Sequence, residues 1–338
     1  MILVTGGTGL VGARLLFDLA ASGKKARALR RPSSRDLVFN TVFAGNDSLK
    51  NRIEWITGDV TNVYDVMEAM QDVDEVFHCA AKVSFYRTEY KEMMMANVEG
   101  TANMVNMAIE QGVKKFCHVS SIAALGRVEE NKTMDESVTW KSSKNNSNYA
   151  ISKYNSEREV WRAMEEGLHA VIVNPSIIIG PGDWTTGSSS MFRQIWRGMK
   201  FYSEGVNGFV DVRDVTKSMI GLMEKNISGQ RFILSAENCS YHQIFDYIAD
   251  GLGKPRPSIA VSRLISELGW RAEAFRGFIL RRKPFITSET ARNSRKKWYY
   301  SSEKIKNAIG IDFIPIQKSI EDSAEIFLRS YAGRDTAA

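Results

Sequence analysis

Met1-Ile2-Leu3-Val4-Thr5-Gly6-Gly7-Thr8-Gly9-Leu10-Val11-Gly12 opens the chain. Ile2 to Val4 read as a buried strand, and Leu10, Leu15, Leu16 and Leu19 recur at helical spacing to form an apolar stripe. Three glycines stand between and just inside these elements. Gly6 permits a tight turn out of the strand, Gly9 lets backbone approach a pyrophosphate with no Cβ in the way, and Gly12 lets the helix pack close on the sheet. The helix N terminus then points free N–H groups at an anion. A dinucleotide phosphate cradle is the expectation, ahead of a plain glycine-rich βα turn.

Working outward, apolar strand-like runs recur at Lys25–Leu29, Ile53–Thr57, Glu75–Cys79, Lys115–Ser120 and Ala170–Val173. Helical periodicity marks Tyr64–Met70, Tyr90–Gln111 and Tyr149–Glu166. This alternation predicts an α/β fold, a Rossmann-like doubly wound parallel sheet. After Asn174-Pro175 the pattern is interrupted by Gly180-Pro181-Gly182-Asp183 and Gly187-Ser188-Ser189-Ser190. Val212–Lys225 then reads as a helix, Arg231–Ser235 as a strand returning to the sheet, and Tyr241–Leu252 as the start of a smaller, mostly helical substrate-binding lobe. The expected division is 1–176 and 206–236 for the nucleotide-binding domain, with 177–205 and 237–330 for a discontinuous lobe.

Composition is that of an ordinary globular protein: 338 residues, 43% hydrophobic and 25% charged. No apolar run reaches the roughly 18 residues of a membrane span. The cradle begins too close to Met1 for a cleavable signal, so a cytoplasmic location is expected. Cys79, Cys117 and Cys239 lack metal-ligand or disulfide spacing and read as core thiols. The net charge of +6 is local in origin, since Lys254 to Lys306 holds fourteen basic residues against four acidic ones. A solvated helical face is the bland reading of that excess. An acidic substrate or anionic membrane surface is the sharper one, for which Leu264–Leu280 followed by Arg281-Arg282-Lys283 is the suggestive stretch. No nucleic-acid reading module accompanies it.

Tyr149 and Lys153 are four residues apart, which puts both on one helix face. A nearby ammonium, with the positive charge of an oxidised nicotinamide, favours the phenolate, and such a tyrosine exchanges protons with a carbonyl or alcohol. Alone the pair is an ordinary surface motif. About thirty residues upstream, Ser120 and Ser121 end the predicted fifth strand, at the carboxyl edge where ligands bind in parallel sheets.

With these residues in view, the chain resembles the extended short-chain dehydrogenase/reductase family over nearly its full length. Thr5 to Gly12, Gly58-Asp59-Val60, His78-Cys79-Ala80-Ala81, Asn97-Val98-Glu99-Gly100-Thr101, Ser120-Ser121, Tyr149 to Lys153 and Asn174-Pro175 fall in family order. The resemblance implies Ser121 as the hydroxyl on the substrate oxygen, Tyr149 as acid/base, and Lys153 as the residue that tunes it and holds the nicotinamide ribose. It implies cofactor contacts from Gly6, Thr8, Gly9, Leu10, Val11 and Gly12, from Asp59 and Val60 at adenine, from the small Ala80 and Ala81, and from Pro175. For Asn97 it leaves a structural role.

At the end of the second strand, Leu29-Arg30-Arg31-Pro32-Ser33 carries no acid to hold a ribose 2′-hydroxyl, and its guanidinium groups suit a 2′-phosphate. NADP(H) is therefore favoured over NAD(H), with Arg30, Arg31 and Ser33 as contacts. The motifs look nearest to the dihydroflavonol-reductase-like and hydroxysteroid-dehydrogenase-like branches. The expected function is reduction of a carbonyl, or oxidation of the alcohol, on a small and partly hydrophobic substrate. A nucleotide-sugar epimerase with retained cofactor is the enzymatic alternative, and an NADP(H)-binding sensor or scaffold the non-enzymatic one. Ile122-Ala123-Ala124 after Ser121 lacks the acidic pair of the dehydratases. Trp184, Met191, Phe192, Trp196, Phe201, Trp270, Phe275 and Phe278 suit an apolar substrate, whereas the basic excess suits a diphosphate. Met93, Met94, Met104, Met107 and Trp161 on the two long helices suggest a homodimer. No metal site is expected.

Overall fold

The computed structural model describes residues 1–127, 129, 132–143, 146–225, 227–261 and 294–332. Seven parallel strands make the main sheet: β1 (Ile2–Thr5), β2 (Ala26–Arg30), β3 (Ile53–Thr57), β4 (Glu75–His78), β5 (Lys115–Val119), β7 (Ala170–Pro175) and β11 (Gln230–Leu234). Their order across the sheet is β11-β7-β5-β4-β1-β2-β3. Chain direction along the sheet therefore reverses between β1 and β4, which is where an open α/β sheet leaves a crevice for ligands.

The strands alternate their side chains between two cores. Val4, Ala28, Phe77, Cys117, Val171 and Phe232 point to one face. There they meet α1 (Leu10–Ala21), α2 (Leu37–Val42) and α9 (Val212–Glu224). Leu3, Leu29, Val76, Phe116 and Ile172 point to the other, under α4 (Val63–Ala69), α6 (Gly100–Glu110) and α7 (Asn148–Glu165). The short α3 (Asp47–Lys50) precedes β3, and α5 (Tyr90–Met94) leads into α6.

The expected single helix over Tyr90–Gln111 is broken: a π-helical turn, Met95–Glu99, separates α5 from α6. Its cause is Asn97, which is buried and turned inward. The Asn97 side chain accepts from Lys82 N at 2.7 Å and donates to Lys82 O at 2.9 Å and Ser152 Oγ at 3.0 Å. The extra residue in the turn lets one amide face the loop after β4. Met93, Met104 and Met107 are buried within the chain, so they supply no outer face for a dimer; Met94 and Trp161 are half-buried, and the exposed large apolar residues of these elements include Tyr90, Met95 and Ile109.

A second core forms around a three-stranded sheet of β8 (Ile177–Ile179), β10 (Val206–Asp211) and β12 (Glu237–Ser240). It is filled by Trp184, Phe192, Ile195, Phe209, Ile244, Ile248, Ile320 and Phe327, contributed in part by α8 (Ser190–Trp196), α10 (Tyr241–Gly251) and α12 (Ile316–Phe327). Between α10 and α12 lies α11 (Glu303–Ile309). Small two-stranded pairs join β6 (Thr133–Met134) to β14 (Tyr299–Tyr300) and β9 (Phe201–Tyr202) to β13 (Ile259–Ala260). No helix among the described residues is long and apolar enough to cross a membrane. Leu264–Leu280, Trp270, Phe275, Phe278 and Arg281-Arg282-Lys283 lie outside the described residues.

One polar seam crosses the main core. His78 Nδ1 lies 2.7 Å from Thr5 Oγ1, which accepts from Ala80 N, and His78 Nε2 lies 3.0 Å from Thr101 Oγ1, which donates to Asn97 O. These partners assign the neutral tautomer with its proton on Nε2. Burial pushes His78 down to about 3, and His118, whose ring stacks on it with centroids 5.4 Å apart, is pushed down as well. The unfolded chain protonates these rings near pH 6.5 while the folded chain does not. Folding stability should therefore fall as pH drops from 6.5 toward 3, at up to about 1.4 kcal/mol per pH unit for each ring. Urea unfolding between pH 6.5 and 5 checks this in an Asp214→Asn background, since burial raises the Asp214 carboxyl to about 6 and its protonation in the folded chain would offset part of the slope. His118→Leu should remove about half of the slope, and a flat profile in the Asp214→Asn protein would contradict the assignment.

Candidate active site

The glycine turn lies at the sheet's switch point. Gly6 has φ +70°, and a Cβ there would lie 2.8 Å from the Cys79–Ala80 backbone after β4. Gly12 is needed for a contact other than the expected one: its Cβ would meet Gly6 O at 2.2 Å, so it brings the first turn of α1 against the glycine turn itself. Gly9 differs from both. It is exposed and extended, and a Cβ would meet only Gly6 O, at 3.3 Å. Gly9 is also the N-cap of α1 and leaves that terminus without a side-chain cap. Bare backbone, an uncapped helix terminus and no acid in the first turn are what a diphosphate requires. The residues present fit a dinucleotide.

Thr8, Leu10 and Val11 flank this turn, half-buried. Ala80 and Ala81 lie just past β4, after Cys79. Asp59 caps a turn, its Oδ1 accepting from Thr61 N and Oγ1 at 3.0 and 2.9 Å, while the buried Val60 packs where a Cβ on Gly100 would strike it. Pro175 is buried at the end of β7.

The two arginines after β2 are not equivalent. Arg30 donates to Asp36 at 3.0 Å and lies 4.7 Å over the Trp55 ring. Arg31 and Ser33 are exposed, and the Arg31 guanidinium has no side-chain partner among the described residues.

On the other side of the crevice, Ser147 caps α7 by accepting from Ala150 N at 2.9 Å. This sets the phase of the helix. Tyr149 comes in the first turn and Lys153 one turn later, facing the carboxyl end of β5. Lys153 is 3% exposed and donates to Val119 O at 2.8 Å. Ser121 follows β5 with extended backbone; its Oγ accepts from Ala123 N at 3.1 Å and its side chain hydrogen-bonds Tyr149. The structure thus brings Ser121, Tyr149 and Lys153 together.

The electrostatics depart from the expected lowering of the tyrosine. Within the protein, burial raises the Tyr149 phenol and the Ser121 hydrogen bond offsets only part of that. The Lys153 ammonium is brought down to about 8 by burial, opposed first by Glu157. The Tyr149 phenol therefore stays protonated over the neutral range.

Several contacts of this arrangement were given no partner from sequence. Asn174, at the end of β7, donates to Ser121 O at 3.0 Å and to the buried Glu157. Phe85 packs edge-on against Tyr149 with ring centroids 5.8 Å apart, yet stays 38% exposed, beside Val83 at 58%. Asn97 holds this loop through Lys82, so its role is structural in effect. The signals for Glu157 and Asn174 were there: Glu157 repeats the four-residue spacing of Tyr149 and Lys153, and Asn174 precedes a strand-end proline. Trp184, Phe192 and Trp196 belong to the second core instead, with Met191 packed against it; Phe201 is exposed. Within the basic stretch, Lys254 lies 3.8 Å from the Trp196 ring centroid, Arg256 pairs with Asp250 at 2.7 Å and Lys306 with Glu303 at 3.0 Å. Among the described residues no His/Cys/Asp/Glu group is arranged to hold a metal ion.

Comparison with known proteins agrees with this geometry. Residues 2–234 match the NAD dependent epimerase/dehydratase family. A Synechocystis sp. protein provisionally named a dihydroflavonol 4-reductase is 31% identical over 332 residues, covering 96% of this chain and 93% of its own. Sterol demethylase protein B of Methylococcus capsulatus is 31% identical over 303 residues, covering 87% and 89%. The crystal structure of gox2253 superposes with a TM-score of 0.81 at 29% identity, covering 98% of each chain. The chain belongs to the NAD-dependent epimerase/dehydratase family, within the extended short-chain dehydrogenases/reductases.

Proposed function

We propose that the chain is an NADP(H)-dependent reductase of a small, partly apolar carbonyl compound, working reversibly on the corresponding alcohol. Family membership makes it an NAD(P)-dependent oxidoreductase. The choice of NADP(H), of net redox turnover and of an apolar substrate rests on particular residues. The observation that carries the reading is the convergence of Ser121, Tyr149 and Lys153 at the carboxyl end of β5, with only β4 between it and the strand that leads into the glycine turn.

Gly6, Thr8, Gly9, Leu10, Val11 and Gly12 would cradle the diphosphate, with Asp59 and Val60 at adenine and Ala80, Ala81 and Pro175 lining the cofactor's path. Arg31 and Ser33 would take a 2′-phosphate, and Arg30, already held by Asp36, would offer its plane to adenine. Bound NADPH supplies the hydride. Ser121 donates a hydrogen bond to the substrate oxygen, Tyr149 gives it a proton, and Lys153 supports the resulting phenolate and holds ribose hydroxyls. In the oxidative direction the same phenolate takes the proton back. Phe85 presents exposed apolar surface next to Tyr149, with the exposed Val83 two residues before it in the chain, which favours a flat, apolar ring beside the carbonyl over a nucleotide sugar. The name of the Methylococcus relative points to the same class. Substrate would lie between the main sheet and the lobe. A homodimer, if formed by α5–α7, would rest on Met95 and Ile109.

NADPH should bind more tightly than NADH by titration. Arg31→Ala should weaken NADPH by about ten- to a hundredfold, the worth of a charged hydrogen bond, and leave NADH unchanged. Equal affinities in the native protein would contradict the cofactor assignment.

Across a panel of cyclic and aromatic ketones, each turnover should oxidise one NADPH. Tyr149→Phe should reduce kcat by at least about a hundredfold while NADPH affinity stays within about twofold. Turnover of a nucleotide sugar without net NADPH loss would favour epimerisation, and full activity in Tyr149→Phe would reject the site.

A further inference from the structure

Lys153 and Glu157 lie one turn apart on α7, and both are buried, Glu157 at 1% exposure. A carboxylate so placed is tolerated only when paired. Glu157 Oε1 accepts from Asn174 Nδ2, the same nitrogen that donates to Ser121 O. Glu157 Oε2 lies 3.5 Å from Arg231 Nη1. Arg231, on β11, is itself fixed: Nη2 donates at 2.8 Å to both Glu136 O and Val138 O, and Nε at 3.2 Å to Glu136 O. The carboxylate is thus set between a clamped guanidinium and the Lys153 ammonium.

The other titratable groups facing Lys153 are neutral. Burial raises the Cys79 thiol to about 12, and His78 and His118 are held uncharged. Val119 O contributes a dipole but no charge. Glu157 is the first group opposing the desolvation of Lys153, ahead of Cys79, whose thiol stays protonated where Lys153 titrates.

We propose that Glu157, anchored by Arg231, is a positioning residue with two functions: its charge keeps Lys153 an ammonium, and its bond to Asn174 fixes the main chain of Ser121. This rests on the catalytic reading of Ser121, Tyr149 and Lys153. Without the ammonium, the Tyr149 phenolate loses its nearest counter-charge, although neither Glu157 nor Arg231 touches substrate.

The test follows the 13Cε shift of Lys153 against pH in lysine-labelled protein without cofactor, with the resonance assigned by Lys153→Met. The native midpoint should fall near 8. Glu157→Gln keeps an oxygen for Asn174 and removes only charge; its midpoint should drop by at least about one unit, as expected for losing an opposite charge at this range. The basic limb of the kcat–pH profile for reduction should move down with it. Asn174→Ala should leave the Lys153 midpoint in place and lower kcat about tenfold through Ser121. An unmoved midpoint in folded Glu157→Gln would overturn the proposal. Should that variant not fold, the native protein still decides: the Glu157 13Cδ shift must report a step at the Lys153 midpoint, and its absence overturns the coupling. No cofactor or substrate enters these titrations, so a shifted midpoint without any NADPH turnover would count against the reductase reading alone.

Discussion

The arrangement depends on one buried cation. In the proposed mechanism Lys153 stays protonated in a place where burial opposes charge, and much of the local structure bears on that. Its hydrogen bond to Val119 O ties α7 to the end of β5. The Ser147 cap fixes where α7 starts, so the same turn count that brings Lys153 to Val119 brings Tyr149 to Ser121. A shift of one residue would rotate the helix by about 100° and disperse the set. The geometry of the site is thus a consequence of a helix start and one ammonium–carbonyl bond.

Around that cation the core accepts polar groups that a sheet of this kind would otherwise exclude. The Thr5–His78–Thr101 seam and the Asn97 clamp consume hydrogen-bonding capacity without touching the crevice, and they hold the β4 loop on which Ala80, Ala81 and Phe85 sit. The π-helical turn at Met95–Glu99 is the backbone expression of the same requirement. Phe85 is where this polar scaffold reaches the surface beside Tyr149, an apolar edge placed by buried polar contacts several residues away.

Much of this was legible in the sequence, for identifiable reasons. The six later strands of the main sheet were placed within a residue or two because alternating burial on two faces writes continuous apolar runs. The glycine turn was legible because chain geometry restricts those positions. The broken helix was not, since its periodicity continues smoothly through Met95–Glu99 and only the distant partners of Asn97 reveal the extra residue. Met93, Met104 and Met107 suggested an outer face because periodicity gives a stripe and does not say what covers it. The aromatic residues of the lobe carried the same ambiguity and fill its core. Arg30 and Arg31 are neighbours in sequence, yet Asp36 and Trp55 distinguish them. Arg231 and Glu157 are separated by 74 residues, and such a pairing has no local signature.

Deuterium transfer bears most directly on the central claim. With NADPH carrying deuterium at C4 on the transferred face and a cyclic ketone that turns over, the account predicts alcohol deuterated at the carbinol carbon and released, undeuterated NADP+ in equal amount. Deuterium that stays with protein-bound cofactor, or alcohol formed without label, would contradict it.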